Sequence, residues 1–394
     1  MHADLQQALY LALDQMNAGR VTTFAVPPVI LSGAGASARC GELLRQRGQK
    51  HVLVMVDSVV WHSGAADALA RSLNRYVIAR EIWPCPAGEP CDTDVAAAVA
   101  RLHERQCDGI VALGGGSVLD AAKAVAVLAT NPGLDLAQLN AASALRPRLP
   151  LTAIPTTAGS GSESTSVTVI IDAATHHKRV LAHATLMPDA AILDPLLTLG
   201  VPAAVTAMTG IDALTHAIEA SVARHGTPLT QCLALQAVRM IGESLRLAVG
   251  CGDNLAAREA MLLASGMAGM AFSSAGLGLC HATAHQIGAA YRIPHGMANA
   301  IMLPAVMNYN RLACQETYAR IGLALTQRHG DALAAIAAVE QLIAEVELEG
   351  DLSAIGAREA DFAGFARDAL NDVCITTNPR TVTEARIIAL YQAS

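Results

Sequence analysis

The chain has 394 residues, of which 53% are hydrophobic and 15% are charged, and its formal net charge is −7. This length exceeds what one hydrophobic core usually organises, and the composition excludes a disordered chain, so we expect two globular domains. The negative charge and the lack of a Lys/Arg cluster argue against nucleic acid or anionic lipid as a partner.

The first element predicted along the chain is an amphipathic helix at its N-terminus. Leu5, Leu9, Leu13 and Met16 recur at helical spacing, with polar residues between them. Such a helix either packs on its own domain or serves as a docking or encapsulation segment, and the pattern leaves both interpretations open.

From this helix to about residue 200, short apolar strands alternate with longer helical patterns. Strands are predicted at residues 51–56, 109–113, 151–154 and 167–171. The alternation is typical of βα units that build a parallel sheet. The proline-rich segment 83–86, followed by Pro90, predicts a loop between two units.

After Pro202 the chain becomes rich in Ala, Leu and Met at helical spacing, which predicts an all-helical second half. We expect an α/β domain at residues 1–200 and a helical domain at 201–394, with the boundary between Pro195 and Pro202. The uncharged stretch 260–280 could span a bilayer by length, but its Gly, Ser and Ala content favours a buried helix and turn. No membrane contact is therefore expected.

Cysteine use and strand pattern predict location and assembly. The nine cysteines form no CxxC pair and no signal peptide is recognisable, so we expect reduced thiols in a cytoplasmic protein. An apolar strand edge near the N-terminus favours a homodimer or a higher homo-oligomer.

A glycine run follows the strand predicted at 109–113 and leads into a helix. Gly115, Gly116 and Ser117 would let a diphosphate approach the backbone N–H groups at the helix N-terminus, with Asp120 one turn further on. The run is not the GxGxxG fingerprint. The alternative is a tight turn in which Ser117 and Asp120 form a capping box.

Two further strand ends strengthen the case for a nucleotide. Asp57 follows the strand at 51–56, where a carboxylate can accept hydrogen bonds from a ribose and repel a 2′-phosphate, which favours NAD over NADP. The loop 154–163 offers hydroxyl groups at Thr156, Thr157 and Ser162, although a solvated turn has the same composition. Ligands of open α/β sheets bind where such loops leave the carboxyl ends of strands.

The helical half contains histidines and a carboxylate at metal-ligand spacing. Asp212 and His216 are four residues apart, as are His281 and His285, so each pair shares one face of a helix. His295 lies at a Pro-His-Gly break. Any one of these histidines alone is best explained as a buried, hydrogen-bonded residue, but together they predict a site for Fe(II) or Zn(II).

Several segments carry a family resemblance: GGGSVLDAAKAVA, IPTTAGSGSE, TGIDALTHAIEA and GLGLCHATAHQIGAAYRIPHGMANAIMLP. They resemble the iron-containing (group III) alcohol dehydrogenase family over nearly the whole chain. The N-terminal helix and the segment WPCPAGEPC are similar to members from ethanolamine-utilisation clusters. The resemblance implies a dehydroquinate synthase-like architecture, in which an α/β dinucleotide-binding domain precedes an all-α metal-binding domain and the active site lies between them.

The resemblance also implies roles for individual residues. The implied metal ligands are Asp212, His216, His281 and His295. The implied NAD(H) contacts are Asp57, Gly115, Gly116, Ser117, Thr156, Thr157 and Lys178, and we add Asp120 and Ser162 from the two loops. Lys178 lies in a stretch that departs from the family pattern. Phe272 and Cys374 match positions that line the substrate pocket.

The expected reaction is the interconversion of a short-chain primary alcohol and its aldehyde, with ethanol and acetaldehyde as the leading pair. Fe(II), or Zn(II) in its place, would act as a Lewis acid. His285 is either a proton relay or a hydrogen-bond partner of the site. Alternative substrates are lactaldehyde, sulfoacetaldehyde and a longer aldehyde. Alternative functions are polyol dehydrogenase or cyclase chemistry, and a non-catalytic assembly protein stabilised by metal. Contact with a bacterial microcompartment shell or its enzymes would follow if the N-terminal helix is a targeting segment.

Overall fold

Parallel strands form the centre of the first half of the chain. The computed structural model describes residues 21–86, 88–141, 145–175 and 178–394, so the helix predicted at the N-terminus lies outside the described residues. The strands are β1 (Val29–Ser32), β2 (His51–Asp57), β3 (Ala79–Cys85), β4 (Gly109–Gly114), β5 (Leu151–Pro155), β6 (Val167–Ile171), β7 (Lys178–Ala182) and β8 (Ala190–Leu193). All except β6 and β7 pair in parallel in one sheet, in the order β1-β8-β5-β4-β2-β3.

Helices cover both faces of this sheet. They are α1 (Cys40–Gln46), α2 (Ser58–His62), α3 (Asp67–Arg75), α4 (Asp92–Glu104) and α5 (Gly116–Leu128). Leu53 and Met55 of β2 pack in the core with α4 and α5, whereas Val52, Val54 and Val56 pack in the core with α1 and α3. A strand buried on both faces is continuously apolar rather than alternating, which is why β2 and β4 were recognisable from the sequence.

Two predictions in the first half of the chain are wrong in part. Residues 167–171 do form a strand, but β6 pairs with β7 in a separate antiparallel ribbon. Only six residues join β6 to β7, and a parallel crossover needs a dozen or more. Residues 83–85 of the segment predicted as a proline-rich loop belong to β3, in which Pro84 lies opposite Val56, whereas Pro86 and Pro90 lie in the predicted loop between β3 and the next helix. Proline has no N–H to donate. Pro84 is tolerated because β3 is an edge strand, where one side of the strand needs no hydrogen-bond partner.

The second half is built from helices, as predicted. They are α6 (Ala203–Val222), α7 (Pro228–Gly250), α8 (Leu255–Ala275), α9 (Leu279–Tyr291), α10 (His295–Thr326), α11 (Ala332–Glu345), α12 (Glu359–Asn371) and α13 (Glu384–Ala393). Helix α6 is buried from Gly210 to Ser221, in contact with α7, α8 and α10. The polar residues of α6 are therefore held inside an apolar core.

The uncharged stretch 260–280 forms most of α8 and the turn into α9. Among the residues that the structure describes, no single helix is long and apolar enough to cross a bilayer, although α8 and α9 pass that test as a pair bent by 107°. Most side chains of both helices are buried within the protein. The bend brings the start of α9 back to α6.

Candidate active site

One cavity of about 500 Å³ lies between the two halves and collects most of the predicted site residues. From the α/β half it is lined by Gly116, Ser117, Asp120, Thr157, Ser162 and Lys178. From the helical half it is lined by Asp212, His216, Phe272, His281, His285, His295 and Cys374. Asp57, Gly115 and Thr156 do not line it.

The four predicted metal ligands converge at the helical end of the cavity. Asp212 and His216 are one turn apart on α6, His281 is in the first turn of α9, and His295 begins α10. The Oδ1 atom of Asp212 lies 3.7 Å from the Nε2 atoms of His216 and His281, and 3.5 Å from the Nε2 atom of His295. The ligand atoms of Asp212, His216 and His281 all lie within 4.8 Å of one another, which suits side chains that share one coordination sphere, and His295 approaches this group at Asp212.

An unpartnered nitrogen shows that this cluster fits a metal ion. The Nε2 atom of His281 is buried and has no hydrogen-bond partner among the described residues, although it faces the carboxylate of Asp212. Leaving such an atom unpaired is costly, and a cation between the imidazoles and the carboxylate would satisfy it. Three imidazoles and one carboxylate suit Fe(II) or Zn(II) better than Mg²⁺ or Ca²⁺.

The charges of the cluster also suit a cation. Burial lowers the pKa of His216 to about 4, so this ring is neutral and its lone pair is available. Burial opposes ionisation of Asp212, but the neighbouring histidines outweigh it and hold the pKa of that carboxyl well below its usual range. The carboxylate is therefore ionised in the absence of a cation.

Glu219 is a site residue that the sequence analysis missed. Its Oε2 atom accepts a hydrogen bond of 2.6 Å from Nδ1 of His281, and its carboxylate also accepts from the backbone N–H groups of Gly278 and Cys280. These bonds hold the start of α9 and direct Nε2 of His281 towards Asp212. Burial lowers the pKa of His281, but the hydrogen bond to Glu219 and the negative charges of Asp212 and Glu219 outweigh burial and raise this pKa to about 9.

Asn299 is a second missed residue, one turn after His295 on α10. Its Nδ2 group donates a hydrogen bond of 2.8 Å to Oδ1 of Asp212 and lies 3.2 Å from Nε2 of His295. The side chain is fully buried. Its spacing from His295 is the same i, i+4 signal that identified the ligand pairs, and an amide at that spacing could have been singled out.

His285 lies beside the cluster rather than in it. Its Nδ1 atom is 2.8 Å from Oδ2 of Asp372, another residue that the sequence analysis missed, and its ring stacks on that of His295 with centroids 5.3 Å apart. The bond holds the pKa of Asp372 down to about 2 against the effect of burial. A carboxylate on Nδ1 leaves Nε2 of His285 available to the cavity.

The wall next to the metal ligands is apolar. The ring of Phe272 stacks on that of His216, with centroids 4.4 Å apart. Burial raises the pKa of the Cys374 thiol well above its ordinary value, so this side chain is neutral. Among the described residues that line the cavity, Lys178 is the one Lys or Arg side chain, and it belongs to the α/β half.

The glycine run leaves the N-terminus of α5 without a side-chain cap. The N-cap is Gly115, and no side chain bonds to the first turn, so the capping box of Ser117 and Asp120 is not formed. Asp120 instead accepts hydrogen bonds from the Ser162 hydroxyl (2.5 Å) and the Val169 N–H (2.8 Å). These bonds tie the two predicted cofactor loops and the β6–β7 ribbon together.

Asp57 lies where the sequence predicts, at the end of β2, but it caps a helix. Its Oδ1 atom accepts hydrogen bonds from the N–H groups of Val59 and Val60, at 2.7 and 3.3 Å, in the first turn of α2. One carboxylate oxygen is thus engaged in holding the strand end. Its contact with a ribose stays a prediction.

A parallel α/β sheet faces a cluster of three histidines and one aspartate across a cavity, and this arrangement fits the class of metal-dependent enzymes that use a dinucleotide. Residues 27–195 match the family described as "Iron-containing alcohol dehydrogenase". Residues 206–394 match "Fe-containing alcohol dehydrogenase family, C-terminal". The chain therefore belongs to the iron-containing alcohol dehydrogenase family, and the predicted resemblance is confirmed.

Individual relatives agree with this membership. "Probable alcohol dehydrogenase EutG" of Salmonella typhimurium is 60% identical over 394 residues and covers 100% of both chains. "NAD-dependent methanol dehydrogenase" of Bacillus methanolicus is 37% identical, covering 92% of this chain and 97% of its own. The crystal structure of a 1,3-propanediol oxidoreductase superposes with a TM-score of 0.92 at 38% identity, covering 95% of this chain and 100% of its own.

Proposed function

We propose that this alcohol dehydrogenase uses NAD(H) and a metal ion to interconvert a short-chain primary alcohol and its aldehyde, with ethanol and acetaldehyde as the leading pair. The observation that carries the proposal is the convergence of three imidazoles on Asp212 inside a cavity that also reaches the glycine loop. Similarity to a relative named for NAD-dependent methanol oxidation supports both the cofactor and a small substrate.

Asp212, His216, His281 and His295 would hold the metal ion, and Gly116 with Ser117 would receive the diphosphate at the N-terminus of α5. When bound, a divalent ion supplies a Lewis acid for the substrate oxygen, and the nicotinamide accepts or donates the hydride. Phe272 and Cys374 exclude water from the reacting carbon because both are buried and neutral. The small apolar wall favours a short uncharged substrate.

His285 is proposed as the proton relay between the substrate oxygen and solvent. It lies outside the set of four ligands, borders the cavity and has Asp372 on its second nitrogen. We expect His285→Ala to keep its bound metal while turnover falls about 100-fold, the lower range for loss of a general acid or base. Metal content by elemental analysis and kcat across pH measure the two effects, and unchanged turnover at every pH would exclude the relay.

Iron is the proposed ion in the cell, with zinc as the alternative that the same ligands accept. The decisive experiment is anaerobic reconstitution of metal-stripped protein with Fe(II) or Zn(II), followed by NADH oxidation with a panel of short aldehydes. We expect acetaldehyde to be reduced fastest by the Fe(II) form. Faster turnover of lactaldehyde, sulfoacetaldehyde or a longer aldehyde would replace the proposed substrate, and no NADH oxidation with any aldehyde would favour an assembly role.

The cellular context is also a proposal. The similarity to the protein named EutG supports a role in ethanolamine utilisation, in the cytoplasm or inside a bacterial microcompartment. Deleting residues 1–20 and following co-purification with shell proteins tests the targeting role of the N-terminus. A homodimer is supported by β1, which is an edge strand in the described part of the chain and pairs there with β8. Light scattering would measure the assembly.

A further inference from the structure

Lys178 and Glu89 form an ion pair in the part of the cavity wall that belongs to the α/β half. The Nζ atom of Lys178, at the start of β7, lies 2.5 Å from Oε1 of Glu89, in the loop between β3 and α4. Both residues line the cavity, and their side chains are 23% and 40% exposed. The pair therefore lies beside the space that a dinucleotide would enter.

The pair is not needed to hold its two segments together. The N–H of Ile171, which pairs with Lys178 in the ribbon, donates to the carbonyl of Pro90 at 2.9 Å, and the N–H of Ala173 donates to Asp92 at 3.2 Å. A partly exposed ion pair adds little stability to such a junction. Because both residues line the cavity, we consider a role of the ion pair in ligand binding.

Lys178 is close to the proposed diphosphate site. The N–H of Val169 bonds to Asp120 in the first turns of α5, and Val169 lies opposite Val180, two residues along the strand from Lys178. Lys178, the one Lys or Arg side chain among the described residues that line the cavity, thus already has a carboxylate partner.

We propose that Glu89 is a competing counter-ion, which a cofactor phosphate displaces from Lys178 when NAD(H) binds. The inference rests on the proposed function, because it assumes that the cofactor diphosphate binds in this cavity. Glu89 then weakens the binding of both cofactor forms, since NAD⁺ and NADH carry the same diphosphate. Weaker binding favours exchange of the spent cofactor.

Isothermal titration of NAD⁺ and NADH into the full-length protein tests this with Glu89→Gln, Lys178→Met and the double variant. We expect Glu89→Gln to lower Kd about twofold to fivefold for both cofactor forms, the effect of removing one partly exposed ion pair. In the Lys178→Met background the same change is expected to leave Kd unaltered. The matched control is Glu104→Gln, which removes a carboxylate from Arg101 on α4, outside the cavity lining.

Three results would overturn the competition. An unchanged or raised Kd for Glu89→Gln would mean that Glu89 does not oppose cofactor binding. An equal gain with and without Lys178 would mean general repulsion of the phosphates. Weaker binding of NAD⁺ alone would place Glu89 beside the nicotinamide. If the unmodified protein bound neither NAD⁺ nor NADH, the proposed function itself would fail, and this outcome is separate from the other three.

Discussion

At the scale of single residues, polar side chains that bond to the site residues determine the orientation of the imidazoles and of the Asp212 carboxylate. Glu219 accepts a hydrogen bond from Nδ1 of His281, Asp372 accepts one from Nδ1 of His285, and the amide of Asn299 donates one to Asp212. Each contact fixes a ring or a carboxylate in one orientation before any cation arrives. The partners lie on α6, α10 and the segment after α12, so each joins two elements of the helical half.

Glu219→Gln should weaken metal binding while the fold is kept. The amide still fills the space, but it removes the negative charge that supports His281, and loss of such a partner typically costs about 10- to 100-fold in metal affinity. Competition with a chelating dye measures the affinity for Zn²⁺. Glu316→Gln, which changes an exposed carboxylate on α10, is the control. Equal affinities in both variants would show that Glu219 serves only the start of α9.

At the scale of elements, the site depends on how closely the loop at residues 156–163, which follows β5, approaches α8. Gly161 has φ +61°, and a Cβ built on Gly269 of α8 would lie 2.6 Å from the Gly161 carbonyl oxygen. No side chain fits at that distance without moving the backbone of the loop. Two glycines therefore set the spacing between the loop and the helical half.

Gly269→Ala is expected to destabilise the protein by about 1–3 kcal/mol, the usual range for overpacking. The comparison is Gly364→Ala in α12, where a Cβ would meet nothing within 4 Å. There the gain in helix propensity should stabilise the protein by about 0.5–1 kcal/mol. Urea denaturation gives both free energies. A loss at Gly364, or no loss at Gly269, would contradict the packing argument.

At the scale of the whole molecule, the two halves supply different parts of the site. The described residues proposed to contact NAD(H) belong to the α/β half, and the proposed metal ligands belong to the helical half. Residues of both sets line the cavity between the two halves. Binding of cofactor and binding of metal should consequently be separable.

Removing the metal should abolish turnover while NADH binding is kept. The stripped protein would retain the glycine loop and Lys178, but Asp212 and the imidazoles would lack the cation that polarises the substrate. NADH titration, aldehyde reduction and thermal unfolding are measured before and after chelation, and again after Fe(II) is restored. We expect restored metal to raise the melting temperature, because it binds only the folded state. Full activity of the stripped protein would make the metal structural.

Much of the architecture could be predicted from the sequence because it is encoded locally. The i, i+4 spacing of Asp212 with His216, and of His281 with His285, follows from the period of one helix. The glycine run follows a continuously apolar strand, so its place at a strand end could also be predicted. The change from alternating strands to helical periodicity after Pro202 gave the fold class, which the structure confirms.

Tertiary structure alone decided the contacts between elements. His281 and Glu219 are 62 residues apart, and Asp372 and His285 are 87 residues apart, so no local period links them. The same reason applies to β6, whose apolar pattern suits either the sheet or a ribbon until its partner is known. Residue spacing determines which side chains share a face. Only the packing of helices and strands determines which residues each face contacts. The connecting segments do not fix the distance between two elements, so the sequence separation of two residues does not show whether they touch.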